Sequence, residues 1–248
     1  MKLAVTNLSF EGSAEDYLFL QQCDINYLEV CPAKDIAYKD LTRNDFIDLD
    51  RSTNLYIYSF LSLFYNIDVS IKDTEKMLEQ FVKLKGYLST VNGKVMVFGS
   101  PGLRKKIPGW KKHITELFTS VDKLLHDTKM YVIIEPVAKK YGAEFFTTID
   151  EIVEFLKENK FKNIYTMIDT HNLKLEKQDP VEKFKEYEKW IKHIHVSEID
   201  LVGIRDIESH IRFSKVLKKH NYKHVITHEI NDKVDFRKSA ELFGGIYK

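Results

Sequence analysis

Short apolar runs rich in β-branched and aromatic residues recur along the chain at 3–5, 25–30, 55–60, 95–98, 130–134, 164–168, 191–196 and 224–227. Several are nearly continuous in apolar residues rather than alternating, the pattern of strands buried on both faces of a parallel sheet. Amphipathic stretches lie between them. In residues 74–88, Met77, Leu78, Phe81, Leu84 and Leu88 share one helical face, and in residues 110–125, Ile114, Leu117, Phe118, Val121 and Leu125 do the same. Thr148-Ile149-Asp150-Glu151 opens a further helix over 152–156 with a cap residue and a carboxylate in the first turn.

Eight strand–helix units in 248 residues allow 248/8 = 31 residues each, the arithmetic of a (β/α)8 TIM barrel with few insertions. An open, doubly wound α/β sheet is the structural alternative. It is disfavoured because no Gly-x-Gly-x-x-Gly follows the first run and no P-loop Gly-Lys-Ser/Thr is present. No linker or low-complexity tract divides the chain, so residues 1–248 are expected to form one barrel domain. The ten glycines are few for so many turns.

Composition narrows the function classes. Thirty-eight basic residues against 37 acidic ones leave a net charge of +1, which excludes a broad basic field for nucleic acid. With 44% hydrophobic and 30% charged residues the chain is globular rather than disordered. No apolar run approaches the ~20 residues that span a bilayer, and residues 1–7 turn polar too early for a signal-peptide core. Cys23 and Cys31 lack a CxxC spacing, so neither a disulfide framework nor a thiolate zinc site is expected. The expected compartment is the cytoplasm, with neither membrane nor nucleic acid as partner.

In such a barrel, chemistry belongs at the carboxyl ends of the strands. The fifth run ends in Glu135-Pro136, the sixth in Asp169-Thr170-His171, the seventh in His195 with Glu198 beyond, and the eighth in Glu229. Taken singly, a carboxylate there is ordinarily solvated or caps the next helix. Four consecutive strands ending in hard oxygen or imidazole donors at one level are another matter. Three packed carboxylates without a cation repel, and the set suits Mn2+, Mg2+ or Co2+, with Zn2+ a further candidate. Gly99-Ser100-Pro101 with Arg104 offers backbone N–H groups and a guanidinium that could bind a carboxylate or phosphate at the mouth.

These residues, in this order, resemble the xylose-isomerase-like TIM-barrel superfamily of sugar isomerases, sugar epimerases and related apurinic endonucleases, nearly from end to end. The residues that carry the resemblance are Glu29 in the second strand, the Gly-Ser-Pro-x-x-Arg turn after the fourth, Glu135-Pro136 with Tyr141-Gly142 and Phe146-Thr147-Thr148, Ile168-Asp169-Thr170, His193 to Glu198, and Glu229. The nearest likeness is to the subgroup named sugar phosphate isomerase/epimerases. The resemblance implies one divalent ion held by Glu135, Asp169, His195 and Glu229. It also implies a two-glutamate proton transfer by Glu135 and Glu229 through a metal-bound enediolate, acting on a sugar or sugar phosphate. Glu29, Ser100, Arg104, Tyr141, His171 and Glu198 are the expected substrate contacts, with Glu29 equally suited to a structural hydrogen bond. Asn172 stands where family members often carry a histidine, Tyr141 where ketose 3-epimerases often have a sugar-binding glutamate, and Leu201 where a substrate-binding arginine might be sought.

Two rivals remain in view. The endonuclease branch uses three metals and further histidines from the third and fourth strands, and neither of those runs carries one here. A non-catalytic sugar-binding barrel would be free to lose a ligand, whereas all four are present. A homodimer is a candidate assembly for this chain, dimerisation being common among barrels of this kind. His193 shares the face of His195 one layer deeper, as second-sphere support, while His228 points to the outer helices. Cys31 reads as a small buried residue, and of the aromatic stretch Tyr56, Tyr58, Phe60 and Phe64 most members belong to the core.

Overall fold

A computed structural model describes residues 1–9, 13–34, 40–65 and 67–248. Strands β1 (Lys2–Thr6), β2 (Tyr27–Val30), β3 (Tyr56–Phe60), β4 (Val95–Phe98), β5 (Tyr131–Ile134), β6 (Ile164–Asp169), β7 (Ile191–Val196) and β8 (Val225–His228) pair in chain order. Every pairing is parallel, and β8 returns to β1 through Lys2↔Val225 to Val5↔His228, which closes the barrel. The helices are α1 (Ala14–Gln22), α2 (Arg43–Thr53), α3 (Thr74–Thr90), α4 (Trp110–Leu125), α5 (Ile149–Asn159), α6 (Thr170–Leu175), α7 (Pro180–Tyr187), α8 (Ile207–Lys219) and α9 (Phe236–Tyr247). Between β6 and β7 the single expected helix is replaced by two, because Asp179 caps a fresh start at Pro180.

The near-continuous apolar strands follow from two cores rather than one. Outward-facing residues such as Leu28, Ile134, Ile168 and Ile194 pack under the helices. The α4 face Ile114, Leu117, Phe118, Val121 and Leu125 is wholly buried against them, each side chain contributing about 1.5–3 kcal/mol. Inward-facing Val95, Val97, Ile133 and Met167 join Cys31 and Leu61 in a separate cluster that fills the barrel. Tyr58, Tyr131 and Tyr165 pack against its amino end, where Lys2 lies over the Tyr27 and Tyr58 rings at 5.3 and 4.6 Å. Tyr58 thus plugs the end opposite the carboxyl ends of the strands, Tyr56 is exposed, and Phe60 and Phe64 are buried in the outer core. Because side chains alternate, two residues beyond Ile133 and Met167 lead to Glu135 and Asp169 at the other end. No helix among the described residues is long and apolar enough to cross a membrane.

Candidate metal centre

Glu135, Asp169, His195 and Glu229 each bring one donor atom to a group in which all four atoms lie within 4.8 Å of one another. His195 Nδ1 stands at the centre, 3.2 Å from Glu229 Oε2, 3.6 Å from Asp169 Oδ2 and 3.8 Å from Glu135 Oε1. Donors bound to one small cation at 2.0–2.2 Å are themselves roughly 3–3.5 Å apart, so only small side-chain shifts separate these four atoms from a common ion, and they form a candidate ligand set. Asp169 Oδ2, His195 Nδ1 and Glu229 Oε2 are buried without a hydrogen-bond partner. Three such atoms converging on one point would each cost free energy in an apolar interior, and a divalent ion bound there would satisfy all of them. The residues present fit the ion.

The electrostatics carry the same mark. Burial, reinforced by the charges of Glu229 and Asp169, pushes the Glu135 carboxyl up to about 8. Burial also opposes ionisation of Asp169, but His171 and His195 hold it well below the usual carboxylate range. For His195, burial works against the cation while Glu29 and Glu229 hold it well above its ordinary value. Protons here stand in for positive charge that a cation would supply.

Asp169 divides its two oxygens between tasks. Oδ1 accepts from Asn172 N at 2.8 Å and caps α6, and it also accepts from Ser197 Oγ at 3.1 Å, which leaves Oδ2 for the centre. Asn172 is buried and its Oδ1 accepts from Ala138 N at 2.8 Å, so the asparagine found where the resemblance implied a histidine ties α6 to the segment after β5. His171 turns to Asp169 Oδ1 at 2.9 Å and Ser197 Oγ at 2.8 Å. Burial lowers His171, but Asp169 outweighs it and raises the imidazole to about 9. The Tyr141 ring meets His171 edge-on at 5.8 Å and is 37% exposed, which puts it at the opening beside Asp169.

Glu29 is wholly buried, and both of its oxygens are taken. Oε1 accepts from His195 Nε2 at 2.6 Å and Oε2 from His193 Nε2 at 2.7 Å. Thr227 Oγ1 at 3.2 Å and Ser59 Oγ also donate to Oε2. Burial would raise this carboxyl, yet the two imidazoles hold it well below the usual range. Of the two readings of Glu29, the structural hydrogen bond is the one these contacts carry: no part of the side chain reaches solvent, and both oxygens are held by histidines. With Nε2–H fixed on Glu29, the Nδ1 lone pair is the one aimed at the three carboxylates. A carboxylate lodged between two histidines also satisfies the spacing of a metal site, but its oxygens are already hydrogen-bonded.

Arg104 corrects the expectation of a substrate contact. It is wholly buried, and its guanidinium donates to the carbonyls of Glu135, Phe146 and Phe98 rather than facing the mouth. Gly99 serves close approach: a Cβ there would lie 1.8 Å from Glu135 Oε2. Ser100 Oγ is buried without a partner. Glu198 closes the loop after β7, its Oε1 accepting from Arg205 N at 3.0 Å, Asp206 N at 2.8 Å and His210 Nε2 at 3.3 Å. These three bonds occupy Oε1, and the residue lines a cavity of about 290 Å³ with Lys174, Ser209 and His210. His228 faces α9, stacked on Phe243 at 5.1 Å and bonded to Ser239 Oγ.

Residues 19–244 match the family model described as xylose isomerase-like TIM barrel. No curated protein matches the chain by sequence. Among solved structures it is similar to a 3-keto-D-glucoside 4-epimerase from E. coli, with 16% identity, 99% of each chain covered and a TM-score of 0.77. It is similar to a family 2 AP endonuclease from Brucella melitensis, with 13% identity, 99% of each chain covered and a TM-score of 0.81. A D-allulose 3-epimerase from Methylomonas sp., in complex with D-allulose, has 16% identity over 99% of this chain and 94% of that one, with a TM-score of 0.72. At these identities the likeness is one of fold.

Proposed function

The chain belongs to the xylose isomerase-like TIM barrels, and from that premise we propose that it is a divalent-metal-dependent isomerase or epimerase of a sugar or sugar phosphate. The observation that carries this reading is the four-donor cluster with three orphaned buried atoms. Glu135, Asp169, His195 and Glu229 would hold the ion, which when bound polarises a substrate carbonyl and acidifies the adjacent C–H.

The division of labour follows exposure. Asp169 and His195 are wholly buried, whereas Glu135 and Glu229 each keep 8% of their surface open. Those two glutamates can therefore touch a sugar as well as the ion. One removes the proton from the carbon beside the carbonyl, and the other returns a proton to the opposite face or to the neighbouring carbon. Tyr141, at the opening and edge-on to His171, is the polar group that would meet the sugar hydroxyls, with His171 behind it. The known epimerase neighbours support the sugar class.

The test is solvent exchange. Purified protein loaded with Mn2+ is incubated in D2O with a panel of ketoses, aldoses and their phosphates, and loss of the α-proton signal is followed by NMR. Exchange in at least one sugar is expected, and Glu135→Gln and Glu229→Gln should each lose it for one or both members of the substrate pair. Full turnover in both variants rules the chemistry out. Wild-type protein that binds a sugar but never exchanges its α-proton is a binding barrel.

A further inference from the structure

The guanidinium of Arg104 is buried without solvent contact, and it touches main-chain oxygens instead of an anion. Nη1 donates to Glu135 O at 2.6 Å and to Phe146 O at 3.0 Å, and Nη2 donates to Phe98 O at 2.6 Å. Two of these oxygens also accept backbone N–H groups: Glu135 N reaches Phe98 O at 3.2 Å, and Val137 N reaches Phe146 O at 3.1 Å. The segment bound in this way, Glu135-Pro136-Val137, lies just past the end of β5 at Ile134 and has no N–H at its proline. Phe146 holds φ at 55°, in the left-handed region that bulky residues avoid, and this turn directs its carbonyl to the guanidinium.

The tolerance at this point is small, since Glu135 Oε2 would be 1.8 Å from a Cβ on residue 99. We propose that Arg104 is the positioning residue of Glu135, a clamp that ties the end of β4, the end of β5 and the Phe146 loop into one unit and thereby fixes the carboxylate in the metal centre. The proposal rests on the reading of Glu135 as a metal ligand. A planar fork meets three carbonyls from one group, and a lysine ammonium has no such geometry.

The test compares wild type with Arg104→Lys and Arg104→Met. Amide hydrogen exchange is read at Glu135 and Val137, with Val5 and Ile226 on the far side of the barrel as internal reference. The visible spectrum of bound Co2+ and the Mn2+ affinity are read on the same samples. Both variants should speed exchange at Glu135 and Val137 by at least about tenfold, as expected for loss of charge-assisted hydrogen bonds. The reference amides should stay protected, the Co2+ spectrum should change, and the Mn2+ affinity should fall by about tenfold or more. Lysine should not rescue. Gly99→Ala, which presses on the carboxylate while leaving the clamp in place, should shift the Co2+ spectrum without loosening Val137. Wild-type exchange, spectrum and affinity in a folded Arg104 variant overturn the proposal. If neither variant folds, wild-type exchange decides: protection at Glu135 and Val137 close to that of Ile133 and Ile134 supports the clamp, and free exchange there overturns it. None of these readouts needs a sugar, so a failed α-proton exchange assay sinks the proposed reaction and leaves the clamp standing.

Discussion

Glu29→Gln separates a residue that aims a ligand from one that touches a substrate. In the wild type both Glu29 oxygens accept, one from His195 Nε2 at 2.6 Å and the other from His193 Nε2 at 2.7 Å. An amide of the same shape offers one acceptor and one donor. One imidazole must then lose its bond or reverse its tautomer, in a place where Glu29, His193 and His195 are all wholly buried. A buried donor left without a partner costs about 1–3 kcal/mol. Loss of an outer-sphere partner of a metal-bound histidine typically lowers metal affinity 10–100-fold, or about 1.4–2.8 kcal/mol. The two figures agree in scale. The assay is Mn2+ titration calorimetry on chelator-stripped protein, with thermal melts of both forms. Mn2+ affinity should fall by one to two orders of magnitude, and for a chain of this length the metal-free Tm should fall by about 2–10 °C. Wild-type Mn2+ affinity together with an unchanged Tm would refute the orienting role. Unchanged metal binding with a changed sugar response would restore the substrate-contact reading of Glu29.

Two further outcomes follow from the same geometry. Asp169→Ala or His195→Ala should reduce bound Mn2+ from one per chain to none while the melt stays cooperative, since the apolar layer of Val95, Val97, Ile133 and Met167 lies below the ligands; full metal content in both variants removes the site. Glu198 offers a pH test: burial would raise its carboxyl, but His210 and the N–H groups of Asp206 and Arg205 lower it from 4.5 to about 2. A carboxyl depressed in the folded state contributes stability that is fully present above 4.5 and is lost as the pH falls through about 2. Glu198→Gln should therefore be less stable than wild type at neutral pH and converge with it in acid, and parallel pH–stability curves in urea titrations would remove Glu198 as the source.

Much of the barrel was legible because parallel strands buried on both faces leave unbroken apolar runs. The predicted α4 stretch and its five-residue face agree with the structure, since an isolated amphipathic helix depends on little beyond its own period. Boundaries slipped where capping decided them. The sixth strand runs on to Asp169 because that residue both ends β6 and caps α6. The cap expected at Thr148 is there, its side chain accepting from Glu151 N with Asp150 and Glu151 in the first turn, and the helix runs on past the apolar stretch to Asn159. The convergence of the four donors agrees with what the strand ends and the family resemblance together led one to expect, since a closed barrel gathers such ends at one rim.

Depth along the barrel axis was the part that residue type could not reveal. Arg104 was expected at the mouth, and Glu29 was divided evenly between a substrate contact and a structural hydrogen bond, since charged groups seldom go inside without partners. The partners here are a histidine pair for one and three carbonyls for the other, and both sets come from distant parts of the chain. Register sets the depth. β2 shifts against β3 between Leu28 and Glu29, and β6 shifts against β7 between Thr166 and Met167, so strand-end counting does not fix the layer in which a side chain lies. One local signal was available. Glu29 is the carboxylate inside an apolar strand, and His193-x-His195 places two imidazoles on one face of another, a pairing that makes burial affordable for all three. The same logic accounts for both buried charges: Glu29 accepts from His195 Nε2, and Arg104 donates to the main-chain carbonyl of Glu135, so each charge is met by groups that border the four-donor cluster.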